Sequence, residues 1–193
     1  TILSSTEILK LDAIPGRLGI VGGGYIGLEL GSVWLRLGSK VTVIEMLPEI
    51  ASSMDGQVRR RLQSLLKKQG FTFRLGTQVT RAAVAGDKAT VVIESDGKSE
   101  TLEFDKLLVS VGRRPLTQEL NLEAAGVATD PQTGFVRVDA FLRTSVAGIY
   151  AIGDLVPGPM LAHKASAEGK AAAEIIAGKP GEVNYDAIPS IVY

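Results

Sequence analysis

The chain has 193 residues, is 45% hydrophobic, and balances 21 Lys plus Arg against 21 Asp plus Glu. That length allows one large domain or a medium one with a small satellite, and the charge balance argues against nucleic acid or an anionic membrane as partner. Cysteine is absent and His occurs once, which excludes a disulfide framework and thiol chemistry by this chain alone, and argues against a zinc site. No apolar stretch is long enough to span a bilayer, and the N-terminus lacks the basic-then-apolar layout of a signal peptide.

The first predicted strand is Arg17–Val21, and the run Gly22-Gly23-Gly24-Tyr25-Ile26-Gly27 follows it directly. A helix is predicted next, because Ile26, Leu30, Val33, Trp34 and Leu37 recur at helical spacing and Gly38 stops the run. Glycines between a strand and a helix let unpaired backbone N–H groups at the helix start face a pyrophosphate. Gly22 permits the turn, Gly24 lets a diphosphate approach the backbone, and Gly27 lets the helix pack closely on the sheet. Val41–Ile44 is the second strand, and Glu45 closes it. That is about twenty residues past the motif, where a carboxylate accepts hydrogen bonds from both hydroxyls of an unphosphorylated ribose. NAD is therefore the expected ligand.

Asp55–Gln69 is the next predicted helix, with Val58, Leu62, Leu65 and Leu66 as its apolar stripe and Arg59, Arg60 and Arg61 mostly on the solvated side. Then the period changes. Phe71–Leu75, Val79–Val84, Ala89–Glu94 and Thr101–Phe104 alternate as short strands, with Gly86-Asp87 and Asp96-Gly97 as turns, which predicts an antiparallel meander inserted into a parallel sheet. Lys106–Val111 is a continuous apolar run suited to a buried parallel strand that delivers Gly112 to the sheet's C-terminal edge. Leu116–Thr133 is loop and short helix. Phe135–Val138 and Gly148–Ile152 are predicted strands, the second ending in Gly153-Asp154, and Ala162–Ala177 is an alanine-rich helix closed by Gly178 and Pro180. The chain ends in an apolar, strand-like run, Ile191-Val192-Tyr193.

Together these residues resemble the flavoprotein pyridine nucleotide-disulfide oxidoreductases, and within them the dihydrolipoamide dehydrogenases. The segments that carry the resemblance are Gly22–Glu29 through Glu45, Val111–Pro115, Gly148–Asp154, and Met160–Ala165 through Gly169. It implies an α/β fold: a Rossmann-like parallel sheet with an inserted antiparallel β-meander, plus a small central β/α unit of the FAD-binding domain. The implied division is 1–115 NAD-binding, 116–178 central and FAD-contacting, and 179–193 the start of a dimerisation domain. Gly22, Gly23, Gly24, Tyr25, Ile26, Gly27, Leu28 and Glu29 would line the NAD pyrophosphate and nicotinamide approach. Glu45 would hold the adenosine ribose, Val79 would touch adenine, and Gly112 would lie on the nicotinamide side. Asp154 would accept a hydrogen bond from FAD, and Met160, Leu161, Ala162 and His163 would face the flavin. His163 is not expected to be the catalytic base, so no catalytic residue is assigned here.

The family's redox-active cysteine pair and its catalytic His are absent from these residues, so the chain is expected to be the NAD and central part of a longer enzyme. That parent would oxidise dihydrolipoamide held on a carrier protein of a 2-oxoacid dehydrogenase complex and reduce NAD. It would be a homodimer, cytoplasmic in a bacterium or in the mitochondrial matrix behind a targeting peptide. The rivals are a related disulfide reductase of the mercuric or glutathione type, toward which Tyr25 leans, and a non-catalytic NAD-sensing module.

Overall fold

The computed structural model describes residues Thr1–Tyr193 and divides into two compact units, Thr1–Gly112 with Ser190–Tyr193, and Arg113–Pro189. The first division falls three residues before the expected boundary at 115. Residues 179–189 pack within the second unit rather than forming a separate piece.

The first unit is built on five parallel strands: β1 (Ile2–Leu3), β2 (Arg17–Val21), β3 (Lys40–Ile44), β4 (Thr72–Arg74) and β8 (Lys106–Val109), in the order β1-β8-β2-β3-β4. Helix α1 (Tyr25–Arg36) connects β2 to β3, and α2 (Gly56–Gln69) connects β3 to β4. Three antiparallel strands, β5 (Gln78–Ala85), β6 (Lys88–Ser95) and β7 (Lys98–Phe104), form the meander. Phe71–Leu75, expected as the meander's first strand, is instead the edge of the parallel sheet, where Phe73 is in register with Val43. β1 was not predicted, because two residues carry no readable period.

The central strands are buried on both faces, and period two sorts their side chains. Leu18 and Ile20 of β2, Val41 and Val43 of β3, and Leu108 of β8 face the helices, where they meet Leu28, Trp34 and Leu66. Ile44 and Leu107 face the other way and pack with Ala89, Val91, Ile93 and Phe104 of the meander. Gly19 lies on this second face. A Cβ there would stand 2.5 Å from the Phe104 ring and 2.8 Å from Leu107, so the missing side chain makes the room that Phe104 occupies. The final strand is shorter than the apolar run suggests: Val111 lies past its end and is 71% exposed.

Both helices bury only part of the apolar stripe that their sequence suggests: Trp34 and Leu30 of α1 and Leu66 and Leu62 of α2 pack inward, and other large residues of each stripe are exposed. The buried residues of α1 are Gly27, Leu28, Gly31 and Trp34, while Val33 and Leu37 are exposed. Glycines add nothing to an apolar count, yet they set the closest approach: a Cβ on Gly31 would meet Ile20 at 2.8 Å and Phe71 at 2.9 Å. In α2, Leu66 is buried and Leu62 packs partly beneath the helix, but Val58 and Leu65 are exposed. Arg59 is on the inner side, paired at 3.1 Å with Glu49. Asp55 caps α2 by accepting from the Gln57 and Val58 N–H groups, and these bonds hold its carboxyl below the usual range. Gly70 ends the helix at φ +115°.

The second unit contains α3 (Ala162–Ile176) and two small cores, one around Val127, Val136, Ala151 and Val156, the other around Leu142, Ala171 and Ala172. Phe135–Val138 and Gly148–Ile152 do not form the expected strands. Each makes one isolated bridge, Val136 with Thr129 and Tyr150 with Arg143. Their backbone groups go instead to scattered partners, Val136 to Leu155, Arg137 to Ala128 and Ala151 to Leu142, and aspartates shape the turns beside them: Asp130 accepts from the Gln132 and Thr133 N–H groups, and Asp139 from those of Phe141 and Arg143. No helix of the chain is long and apolar enough to cross a membrane.

The Gly19 pocket makes a stability prediction. Gly19→Ala should cost about 1–3 kcal/mol through overpacking, and adding Phe104→Leu should recover part of that loss. Urea unfolding of the single and double variants measures the coupling. Additive effects would show that Phe104 does not depend on the space at Gly19.

Candidate cofactor sites

In the first unit, β2 is followed by Gly22, which adopts φ +104° and donates its N–H to the Ile44 carbonyl at 2.9 Å. A side chain at Gly22 would strike the Ser110 carbonyl oxygen at 2.5 Å, so both space and conformation demand glycine. Ser110 closes the turn from the β8 side, its hydroxyl donating to the Val21 carbonyl at 3.1 Å. Gly27 is similarly enclosed, 2.6 Å from the Gly22 oxygen in the Cβ direction.

Gly24 differs from these. It is the N-cap of α1 with an ordinary φ of −76°, and a Cβ there would meet nothing within 4 Å. No side chain caps the helix, so the helix start combines open space with N–H groups that no side chain has claimed. Glu45 stands beside it. Its Oε2 accepts from the Gly23 N–H at 2.6 Å and its Oε1 from the Leu47 N–H at 2.8 Å. Two backbone bonds thus hold the carboxylate in one orientation, and its oxygens keep lone pairs for further donors. The Thr77 N–H donates to the Glu45 carbonyl at 3.0 Å, which ties the start of β5, and so half-buried Val79, to this end of the sheet. The open approach at Gly24, the uncapped helix start and the fixed carboxylate fit a dinucleotide pyrophosphate and ribose.

In the second unit, Gly153 takes φ +71° at the start of a short 3-10 turn, Gly153–Leu155. The Asp154 carboxylate receives the Arg113 guanidinium at 2.9 Å. Leu161 is the N-cap of α3 and offers no side-chain cap. Met160 and Leu161 are half-buried, while Ala162 and His163 are exposed. The His163 ring contacts the Pro189 carbonyl at 2.8 Å; because that carbonyl only accepts, Nε2 carries the proton. These groups fit one wall of a flavin site: an acceptor, two apolar residues and a helix start.

Comparison with known proteins agrees with this geometry. Residues 1–169 match the family described as Pyridine nucleotide-disulphide oxidoreductase. The chain belongs to that family. FAD and NAD(P) are the family's cofactors. Over its whole length the chain is 49% identical to the mitochondrial dihydrolipoyl dehydrogenase of Pisum sativum, covering 38% of that protein. It is 50% identical to the dihydrolipoyl dehydrogenase of Cupriavidus necator over 96% of this chain and 39% of the other. Among solved structures, the HOCl-induced flavoprotein disulfide reductase RclA from Escherichia coli superposes with a TM-score of 0.85 at 30% identity, covering 98% of this chain and 42% of that one. The chain therefore spans about two fifths of the length of the relatives it matches.

Not every residue expected at the family's NAD site faces open space. Leu28 is 1% exposed and sits in the helix-side core. The Glu29 carboxylate accepts from the Tyr193 N–H at 3.1 Å, the contact that ties the strandless tail 190–193 to the first unit. Gly112, at φ +129°, follows the last strand with open space around it. Four residues escaped sequence reading. Ala51, at φ +48°, donates its N–H to the Gly23 carbonyl at 2.8 Å and closes the glycine turn. Arg113 holds Asp154. Lys164 and Glu168, a fully buried ion pair at 3.1 Å, lie under Gly153. Their i,i+4 spacing was the available signal, but on a helix surface that spacing usually marks a solvated pair.

Two predictions rest on this geometry. Gly24→Val should leave the chain folded, because it meets open space at an ordinary φ, and should abolish NADH binding by filling the approach to the backbone. Circular dichroism and calorimetric titration read the two effects, and undiminished affinity in a folded variant would make the motif a turn only. The second concerns Tyr185, whose hydroxyl burial pushes up to about 12, helped by its hydrogen bond to Glu168 and the charge of that carboxylate. The folded value lies above the ordinary 10.0, so the stability Tyr185 contributes is complete below about pH 10 and is lost as pH rises toward 12. Urea melts should therefore show a deficit for Tyr185→Phe at pH 8 that shrinks across this window. A deficit that does not change with pH would detach Tyr185 from Glu168.

Proposed function

We propose that this chain is the NAD-binding part, with one wall of the flavin site, of an FAD-dependent dihydrolipoamide dehydrogenase. The complete enzyme would oxidise dihydrolipoamide, presented on a carrier protein of a 2-oxoacid dehydrogenase complex, to lipoamide and reduce NAD, working as a homodimer. Identities near one half to dihydrolipoyl dehydrogenases across the chain support this reading. The observation that carries it is Glu45, fixed by the Gly23 and Leu47 N–H groups beside the open helix start at Gly24.

FAD and NAD, when bound, supply the hydride chemistry. The chain's own residues bind and orient. The N–H groups at the start of α1 receive the pyrophosphate, and Gly24 leaves room for it. Glu45 accepts the hydroxyls of the adenosine ribose, Val79 meets the adenine, and Tyr25, Ile26 and Gly112 flank the nicotinamide. In the second unit, Asp154 would accept from the flavin's ribityl or phosphate region, and Met160, Leu161, Ala162 and His163 would face the flavin, the first two as its apolar contacts. The positive end of α3 favours negative charge on the reduced ring. His163, exposed at the start of α3, is assigned here as a flavin contact and not as a base.

The second reading is a disulfide reductase of the glutathione or mercuric type, favoured by Tyr25 at the first position of α1. A 2′-phosphate would need cations after β3, where this chain has Glu45-Met46-Leu47-Pro48. Arg59 is engaged with Glu49.

Cofactor preference separates the two. NADH should bind at least roughly tenfold more tightly than NADPH, because a 2′-phosphate would face an oriented carboxylate, and Glu45→Ala should narrow that gap. Calorimetric titration of both nucleotides decides it. Equal affinities, or a preference for NADPH, would remove Glu45 from the ribose and favour the second reading.

A further inference from the structure

Lys164 and Glu168 are both 0% exposed, and they are the only charged side chains in the chain's buried set. A buried ion pair is weak evidence of stabilisation, since desolvation offsets much of the attraction and apolar residues of similar size often serve as well. What this pair holds is more telling. The Lys164 ammonium donates to the Gly153 carbonyl at 2.9 Å, and Glu168 Oε2 accepts the Gly153 N–H at 2.6 Å. One residue's donor and acceptor are thus gripped by opposite ends of a single ion pair. The Tyr185 hydroxyl donates to Glu168 Oε1 at 3.0 Å, so each carboxylate oxygen has a partner of its own besides the ammonium.

The neighbouring backbone is fitted to this arrangement. Gly153 adopts φ +71°, and a Cβ on it would sit 3.2 Å from that of Ala165, so the turn lies directly on the first turns of α3. Gly158, at φ +114°, passes over the Lys164 stem, where a Cβ would be 3.1 Å from Cε. Lys164 therefore holds the Gly153 carbonyl and lays its stem against Gly158, on either side of the stretch that carries Asp154. Arg113 orients the Asp154 carboxylate, while the buried pair fixes the backbone from which it projects.

We propose that Lys164, Glu168 and Tyr185 are positioning residues for the flavin-facing turn: by clamping the Gly153 peptide groups between opposite charges, they aim Asp154 and the start of α3 at the flavin. This rests on the reading of Asp154 as a flavin contact. Two charges on one helix, four residues apart, set the planes of both peptide groups of Gly153, a directional constraint that apolar packing cannot impose.

The test uses the chain itself and the FAD-loaded full-length protein. Lys164→Met combined with Glu168→Leu removes both charges at once and leaves no orphan ion. In the chain, exchange of the Gly153 amide hydrogen should quicken at least about tenfold while the β2 amides keep their rates. In the full-length protein, FAD affinity should fall at least about tenfold, an effect that lost stability alone does not produce in the folded fraction. Asp154→Ala, which removes the acceptor, is the parallel arm. If it leaves FAD affinity unchanged, the flavin reading fails and the proposal with it. If it weakens FAD while the double variant binds within about twofold of the parent, the flavin reading stands and the clamp is overturned. Should the double variant not fold, Tyr185→Phe decides, since it loosens Glu168 and keeps the ion pair. Faster Gly153 exchange with weaker FAD binding supports the clamp, and no change in either refutes it.

Discussion

The first unit depends on β2 being packed from both sides while its C-terminal end stays clear of side chains. A strand in this position has helices on one face and the meander on the other, so it must present bulk in both directions. Leu18 and Ile20 do so toward the helices. Toward the meander, Gly19 withdraws and Phe104 fills the space from the other side. The bulk is thus delivered by a residue far away in sequence, and the strand's register with β3 and β8 holds that residue's partner in place.

The same removal of side chains continues past the strand, and there, in the function proposed, it serves binding. Gly22, Gly27 and Gly31 are enclosed by backbone or core atoms, so their missing side chains let chain segments approach one another. Gly24 has no such neighbour. It is the single glycine of the series whose vacant Cβ direction points at nothing, and the chain spends no residue on capping the helix that begins there. Gly23 mediates between the two regimes: its N–H is taken by Glu45 and its carbonyl by Ala51, so the turn is held at both ends. Rigidity and openness therefore coexist in adjacent residues, which is what a site preorganised for a charged ligand requires.

Sequence reading recovered the features that depend on local order. β2, α1, β3 and the helix after Asp55 all form near their expected limits, because a strand, a glycine turn and a capped amphipathic helix declare themselves within a few residues. It failed where the inward face is chosen by a distant partner. Val33 and Leu37 fit the apolar period of α1 yet are exposed, because the sheet accepts the side of the helix carrying Gly27 and Gly31. It failed also where no continuous partner strand lies alongside. The stretches around Val136 and Tyr150 have strand composition, but their backbone groups go to scattered partners, the Val136 N–H to the Leu155 carbonyl, the Arg137 N–H to that of Ala128 and the Ala151 N–H to that of Leu142, which leaves single bridges. β4 went to the wrong sheet for a related reason: three alternating residues do not say which neighbour they will pair with.

In the function proposed, the two units would present backbone to their ligands by opposite means. In the first, specificity of shape comes from what is missing, since glycines define an approach and one carboxylate, held by main-chain N–H groups, marks its end. In the second, a glycine again provides the turn, but its orientation is imposed by buried charge. Lys164 and Glu168 are far costlier to desolvate than the leucines that could fill the same volume, and that cost is tolerable only because every polar atom of the pair meets a fixed partner. A glycine at φ +71° has two peptide groups free to rotate and no side chain to restrain them. Holding both by opposite charges removes that freedom at its source, so the aim of Asp154 is decided beneath the surface that a ligand would touch.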